Sequence, residues 1–187
     1  MTIAAALAAV TARLPPGVTL IAVSKTHPAE AIREAYAAGQ RDFGENYAQE
    51  WRAKAEALAD LPDLVWHFIG SLQTNKVKVL AGRVGFVHTV DRVELARELS
   101  RRSAAAEAVR ALPALDLRGL TCIPPPDQDP RPHFQALRAL RDRLGLAELS
   151  MGMSADWPVA VEEGATFVRV GSAIFGARAP RAGSPPG

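Results

Sequence analysis

The sequence predicts an α/β fold with a parallel sheet, either a (β/α)8 TIM-barrel-like fold short of one unit or an open doubly wound sheet. Short, β-branched apolar runs alternate with longer runs rich in Ala, Glu and Arg along the chain. This alternation favours parallel strands, because parallel neighbours need crossover connections. Seven such strands are found, where a complete barrel has eight. The 187 residues give about 27 residues for each unit, which is an ordinary unit size.

The predicted elements alternate from the first strand onward. Residues 18–24 (VTLIAVS) are continuously apolar and β-branched, which is typical of a strand covered on both faces. A helical spacing follows over 29–38, and Gly39 stands where a helix-ending glycine is expected. The remaining strands are predicted at 42–46, 65–69, 86–90, 117–123, 148–153 and 166–170. The remaining helices are predicted at 47–59, 74–80, 93–112, 133–144 and 155–163, with a Pro-rich loop at 124–132.

Composition places the chain among single-domain globular proteins. Hydrophobic residues make up 48%, charged residues 22%, and the net charge is +2. These values exclude disorder and coiled coil, and give little reason to expect nucleic acid. No apolar run is long enough for a membrane span, and the Ala-rich start lacks the features of a signal peptide. One domain is expected over residues 1–177, with a frayed tail at 178–187, and the single cysteine, Cys122, suits the cytoplasm.

Lys25 is the first candidate for chemistry, because it ends the first strand. Active groups of parallel α/β proteins gather at the carboxyl ends of the strands. Ile21 and Val23 lie on the same face, and an ammonium above such an apolar layer favours its neutral, nucleophilic form. The alternative is an ordinary strand-end lysine that extends to water or pairs with a carboxylate.

Ser154, Gly171 and Ser172 follow the last two strands and form a candidate anion site. A glycine lets backbone N–H groups approach an anion closely, and hydroxyls add donors. The loops after the last two strands of barrels commonly bind phosphate. The alternative is ordinary helix capping by the serines and a turn at the glycine. Together with a strand-end lysine, the set indicates a phosphorylated carbonyl ligand.

Other residues near this region have both a ligand-binding and a structural interpretation. Asn46 ends the second strand and either binds a ligand or caps the next helix. Arg169 either donates to a ring nitrogen or forms a structural ion pair. Met153 either packs in a barrel layer or lines a flat aromatic ligand, and His67 is expected to be a satisfied core histidine. The four histidines show no metal-ligand spacing.

Five ordered motifs give a resemblance to a known family. They are VSKT at 23–26, FGENY at 43–47, HFIGSLQTNK at 67–76, LSMGMS at 149–154 and RVGSAIFG at 169–176. Together they resemble the pyridoxal phosphate homeostasis proteins, single-domain barrels similar to the N-terminal domain of alanine racemase. The resemblance implies that Lys25 forms a Schiff base with pyridoxal 5′-phosphate (PLP). It also implies cofactor contacts at Asn46, Met153, Ser154, Arg169, Gly171 and Ser172.

The chain departs from the family between the fourth-strand helix and the strand at 117–123. A further strand, ending in an apolar-Val-Asn segment, is expected there with its loop and helix, but the sequence runs directly through 101–112 without one. About one βα unit, the fifth, is absent. The remaining strands are expected either to close as a distorted barrel or to leave a gap, and the residues implied to bind PLP lie away from it.

The function implied is PLP homeostasis: a non-catalytic, monomeric carrier that buffers PLP or delivers it to apo-enzymes. Racemase chemistry needs a second acid/base, which in the related racemases is a tyrosine of a C-terminal domain, and only ten residues follow residue 177. The alternative is a fold-type III PLP enzyme with weak racemase or decarboxylase activity. A class I aldolase-like barrel, with Lys25 attacking a sugar phosphate, is a third possibility, and a paralogue that binds nothing is the fourth.

Overall fold

The computed structural model describes residues 1–90, Leu95 and residues 116–177. In these residues the strands form one parallel sheet with the order β4-β3-β2-β1-β7-β6-β5. The strands are Thr19–Val23 (β1), Asp42–Glu45 (β2), Val65–Phe68 (β3), Phe86–Val87 (β4), Gly119–Thr121 (β5), Glu148–Ser150 (β6) and Phe167–Val170 (β7). The α/β class and the parallel arrangement predicted from the sequence are confirmed. The predicted helix at 93–112 lies outside the described residues apart from Leu95, which is helical and buried.

The sheet curls so strongly that strands far apart in its order touch across its concave side. Four strand spacings separate β4 from β7, which corresponds to about 19 Å in a flat sheet. The rings of Phe86 and Phe167, on those two strands, nevertheless lie 5.6 Å apart. The curvature is therefore that of a barrel, while β4 and β5 stand at the two ends of the sheet among the described residues. No ladder joins β4 to β5 among these residues, and most of residues 91–115, which connect the two strands, lie outside the described part of the chain.

Helices cover the convex side of the sheet. They are Ile3–Thr11 (α1), Ala29–Ala37 (α2), Ala48–Ala57 (α3), Val77–Leu80 (α4), Pro130–Arg143 (α5), Trp157–Glu162 (α6) and Ser172–Phe175 (α7), with a 3-10 turn at Thr74–Lys76. The core lies between this layer and the sheet. It includes alternate strand residues such as Leu20, Ala22, Phe43, Val168 and Val170.

The first helix, α1, is not predicted by the sequence analysis. Thr2 caps it by accepting a hydrogen bond from the Ala5 N–H at 3.2 Å, and Leu7 and Val10 enter the core. An alanine-rich segment has high helix propensity. The stabilising cap at Thr2 is the sequence signal that marks its start.

Helix α5 begins earlier than predicted, inside the segment assigned to a Pro-rich loop. Asp129 is its N-cap and accepts the Arg131 N–H at 3.0 Å. Pro130 occupies the first helical position, where the missing N–H of proline costs nothing because no intrahelical acceptor exists for it. Proline therefore starts this helix instead of preventing it.

The described residues contain neither a candidate membrane span nor a candidate metal site. None of the helices there is long and apolar enough to cross a bilayer. No group of His, Cys, Asp and Glu side chains in the same residues could hold a metal ion.

Candidate cofactor site

Lys25 lies just beyond β1, in the middle of the sheet, and is half-buried. Ile21 and Val23, which precede it on the same face by strand alternation, are buried. Thr26 follows with φ of 66°, a left-handed conformation that β-branched residues rarely adopt. The lysine thus stands at a sharp, conformationally unusual turn at the carboxyl end of the central strand.

The predicted anion loop lies directly beside that turn. Strand β7 pairs with β1, with Val170 in register with Ala22. Gly171 continues so close to β1 that an added Cβ would stand 3.1 Å from the Val23 carbonyl oxygen. The Gly171 N–H donates to Ser154 Oγ at 3.3 Å. The structure therefore brings Ser154, Gly171 and the neighbouring Ser172 together at the strand end that carries Lys25.

Neither Ser154 nor Ser172 is the N-cap of a helix, which was the structural alternative for both residues. Helix α6 starts at Trp157 with Asp156 as its N-cap, so Ser154 does not cap it. Ser172 is the first residue of α7, and Gly171 takes the N-cap position.

Asn46 follows β2 and does not cap the next helix. Helix α3 has Tyr47 at its N-cap and no side-chain cap hydrogen bond. Asn46 Oδ1 is buried and has no hydrogen-bond partner among the described residues, and the same holds for Thr26 Oγ1. Unsatisfied buried acceptors are uncommon and costly. They mark the space near Lys25 as one that a ligand with polar groups would complete.

Arg169 is a buried cation without a carboxylate partner among the described residues. The residue is 5% exposed. Its guanidinium donates to Ser150 Oγ at 2.7 Å, to Thr121 Oγ1 at 3.1 Å and to the Cys122 carbonyl oxygen at 2.9 Å. Burial lowers the pKa of the Arg169 guanidinium, and no ion pair appears for it within this part of the chain. The alternative of a structural ion pair is thus not what the described residues show.

A cavity of about 240 Å³ opens beside Arg169 at the carboxyl ends of β3, β4 and β5. Its walls include Ile69, His88, Thr121 and Cys122. Burial raises the pKa of the Cys122 thiol, which suits the inert role expected for it. The cavity lies on the concave side of the sheet, and Arg169 forms part of its wall.

A chain of hydrogen bonds crosses the concave side from Arg169 to Asp42. His88 Nδ1 lies 2.8 Å from Ser150 Oγ, His88 Nε2 lies 3.0 Å from His67 Nδ1, and His67 Nε2 lies 2.9 Å from Asp42 Oδ1. A carboxylate can only accept, so His67 Nε2 donates to Asp42. With neutral imidazoles, His88 Nε2 then donates to His67 Nδ1 and the Ser150 hydroxyl donates to His88 Nδ1. His67 is the satisfied core histidine that the sequence predicts.

Met153 is 37% exposed, whereas Met151 is fully buried. Met151 belongs to the helix-facing core. Met153 is therefore not a packed barrel layer, and its side chain stays accessible next to Ser154.

A buried ionic cluster, not predicted from the sequence, lies behind Lys25. The Lys54 ammonium, on α3, donates to Glu45 Oε1 at 2.6 Å, to Glu50 Oε1 at 2.7 Å and to the Ser24 carbonyl oxygen at 2.7 Å. Ser24 Oγ also donates to Glu45 Oε1, at 2.7 Å. Burial raises the pKa of the fully buried Glu45 carboxyl, against the opposing effects of Lys54 and Ser24. The signal available was the i, i+4 spacing of Glu50 and Lys54 after the FGEN motif.

The fold and site together define a curled, parallel (β/α) protein with a strand-end lysine next to a Gly-Ser loop at the carboxyl edge of the sheet. Comparisons with known proteins agree with this class. No family model matches the chain. The pyridoxal phosphate homeostasis protein of Pseudomonas aeruginosa is 46% identical over 201 aligned residues, covering 89% of this chain and 87% of the relative. The Aquifex aeolicus protein of the same name is 43% identical, covering 85% and 86%.

A solved structure is similar along its whole length. PipY of Synechococcus elongatus PCC7942, with PLP bound, superposes with a TM-score of 0.87 at 42% identity, covering 94% of this chain and 100% of that one. Alanine racemase of E. faecalis has a TM-score of 0.59 at 15% identity, a likeness of fold alone. The chain belongs to the pyridoxal phosphate homeostasis protein family. The alignment of 201 positions exceeds the 187 residues of this chain, in agreement with an absent unit.

Proposed function

We propose that this chain binds PLP through Lys25 and serves PLP homeostasis as a carrier that buffers the cofactor and delivers it. The observation that carries the proposal is the pairing of β1 with β7, which sets the turn at Lys25 beside the loop of Ser154, Gly171 and Ser172. The family relatives named for PLP homeostasis support it.

The residues fit this cofactor. PLP supplies an aldehyde, which condenses reversibly with a primary amine, together with a phosphate and a pyridine ring. Lys25 is the proposed amine, and Ser154, Gly171 and Ser172 are the proposed phosphate holders. The unpartnered Asn46 Oδ1 fits a ligand that brings a donor. Arg169, buried and forming no ion pair in the described part, fits a ligand that brings negative charge and a ring acceptor.

Met153 completes the proposed set as a side chain beside the ring. Its thioether is flexible and polarizable, and sulfur makes favourable contacts with aromatic rings. Its exposure leaves it free to settle on a flat ligand.

A carrier role is favoured over catalysis because neither of the two tyrosines, Tyr36 and Tyr47, is the acid/base tyrosine of the related racemases. Tyr47 follows Asn46 at the start of α3 and is 43% exposed. Tyr36, on α2, donates its hydroxyl to the Asp63 carboxylate and stacks against Arg41, whose guanidinium carbon lies 3.9 Å from the ring centroid. These contacts occupy Tyr36 away from Lys25. We further propose that the protein works as a cytoplasmic monomer with PLP-dependent apo-enzymes as recipients.

The direct test is titration of the purified protein with PLP, followed by borohydride reduction and peptide mapping. A reduced cofactor adduct on Lys25 is expected in the wild type and in Lys78→Ala, which changes an exposed lysine of α4. Lys25→Ala should lose the adduct. No uptake of PLP by the wild type would overturn the proposal as a whole. Robust turnover of D- or L-amino acids from a test panel would overturn the carrier role alone.

A further inference from the structure

The ion pair of Glu50 and Lys54 reaches the backbone on both sides of Lys25. Lys54 Nζ donates to the carbonyl oxygen of Ser24, the residue before Lys25. The backbone N–H of Thr26, the residue after it, donates to Glu50 Oε1. The two groups are also bonded to each other, at 2.7 Å. One helical turn of α3 therefore binds the peptide groups that flank the lysine.

The backbone needs such support because Thr26 adopts a positive φ of 66°. A β-branched residue persists in this conformation only where its surroundings impose it. The hydrogen bond from the Thr26 N–H to a carboxylate is charge-assisted and so among the stronger kinds. Releasing Glu50 would let residue 26 relax toward an ordinary conformation, which would turn the adjoining Lys25 away.

The Glu50–Lys54 pair is anchored to the sheet by further hydrogen bonds of Lys54. Lys54 is 6% exposed and spends its three hydrogens on Glu45, Glu50 and the Ser24 carbonyl. Glu45 belongs to β2, so the cluster ties α3 to the sheet. Glu50, in contrast, is partly exposed and borders a cavity of about 460 Å³ that also contacts Thr26. Truncating Glu50 therefore enlarges an existing space and opens no new void in the core.

We propose that Glu50 and Lys54 are positioning residues that fix Lys25 through its flanking peptide groups. The inference rests on the proposed function, because it assigns the fixed lysine to PLP attachment. Neither residue belongs to the proposed set of cofactor contacts. Their effect is to hold the Lys25 backbone in the one orientation from which its amine reaches the PLP aldehyde, and so to set how long PLP stays bound.

The test compares Glu50→Ala with Glu50→Gln and with Glu56→Ala, an exposed position of the same helix. The first measurement is amide hydrogen exchange at residues 24–26 in protein without PLP, under conditions where every variant is folded. Exchange at Thr26 should accelerate about tenfold or more in Glu50→Ala, because a hydrogen bond to a charged acceptor is lost. Glu50→Gln keeps a side-chain oxygen for the Thr26 N–H and should recover most of the protection.

The second measurement is the dissociation rate of PLP after dilution into a trap. Glu50→Ala should release PLP about tenfold faster than the wild type, with Glu50→Gln between them and Glu56→Ala unchanged. Lys54→Met, with Lys78→Met as its control, should also release PLP faster. A role in stability alone would lower the unfolding temperature while leaving the release rate of the folded protein as in the wild type.

The outcomes separate the two proposals. Unchanged exchange at Thr26 in Glu50→Ala overturns the positioning role, whether or not PLP binds. Faster exchange with an unchanged release rate also overturns it. Absence of a PLP adduct in the wild type refutes the proposed function. The proposed positioning of Lys25 for PLP is then refuted too, even if the exchange data show that Glu50 fixes the turn at Thr26.

Discussion

Acid should destabilise this protein through His88 in particular. Burial lowers the pKa of His88 to about 3 from an ordinary value of 6.5, with further lowering by His67 and Arg169. Below pH 6.5 the unfolded chain takes up a proton at this position and the folded chain does not. Stability is therefore complete above about pH 6.5 and is lost progressively as the pH falls toward 3.

The size of the effect follows from the pKa difference. One pH unit corresponds to about 1.4 kcal/mol, so the full window would cost at most about 5 kcal/mol. His88 is only partly buried, and its exposed fraction reduces this ceiling. Between pH 6.5 and pH 4.5 we expect about 1–2 kcal/mol of stability to be lost through this residue.

The assay is urea unfolding of wild type and His88→Gln at several pH values from 7 to 4.5. Glutamine offers one donor and one acceptor to the neighbouring His67 and Ser150 but cannot take up the proton. Its unfolding free energy should fall less steeply with acid than that of the wild type. His133→Gln is the matched control, because it removes an imidazole that bonds to Gln128 and does not belong to the chain of hydrogen bonds through His88. Parallel curves for wild type and His88→Gln would refute the reasoning.

Two further predictions concern stability at neutral pH. Gly70→Ala should destabilise far more than Gly171→Ala, since an added Cβ would lie 2.0 Å from a backbone carbonyl oxygen at Gly70 but 3.1 Å from one at Gly171. Thermal unfolding should show a loss of about 1–3 kcal/mol for Gly171→Ala, and an equal loss in both would contradict the packing argument. Lys54→Met should cost about 3–5 kcal/mol, because it strands the Glu45 carboxylate in the core, whereas Glu45→Gln should cost less since Lys54 keeps Glu50. Chemical denaturation measures the unfolding free energy of both variants. A larger loss in Glu45→Gln than in Lys54→Met would contradict this reasoning.

The elements of the fold were predictable where hydrophobic patterning is continuous. The strand predicted at 18–24 is observed as Thr19–Val23, and that at 166–170 as Phe167–Val170. Patterning failed where one capping residue decides the outcome, as at Thr2 for α1 and Asp129 for α5. Such local signals are weak in a sequence and decisive in a structure.

The candidate site was predictable only in part, because proximity along strand ends is a rule of the fold while side-chain pairing is not. The rule brought Lys25 together with Gly171. It could not reveal that His88 bonds to Ser150, 62 residues away, since that contact depends on how tightly the sheet curls. Nor could it show that Lys54 turns inward to Glu45, because lysines on helices usually face water.

The position of β1 in the sheet order has a consequence for how the molecule can come apart. Three strands lie on each side of it, so β1 is as far from both ends of the sheet as any strand can be. Unfolding that starts at either end of the sheet must break three strand pairings, one after another, before β1 is separated from its neighbour on that side. Lys25 therefore lies far from both ends of the sheet along its strand order, whereas Arg169 contacts the end strand β5 directly through Thr121 and the Cys122 carbonyl group, so a change at that end reaches the candidate site through the arginine before it reaches the lysine.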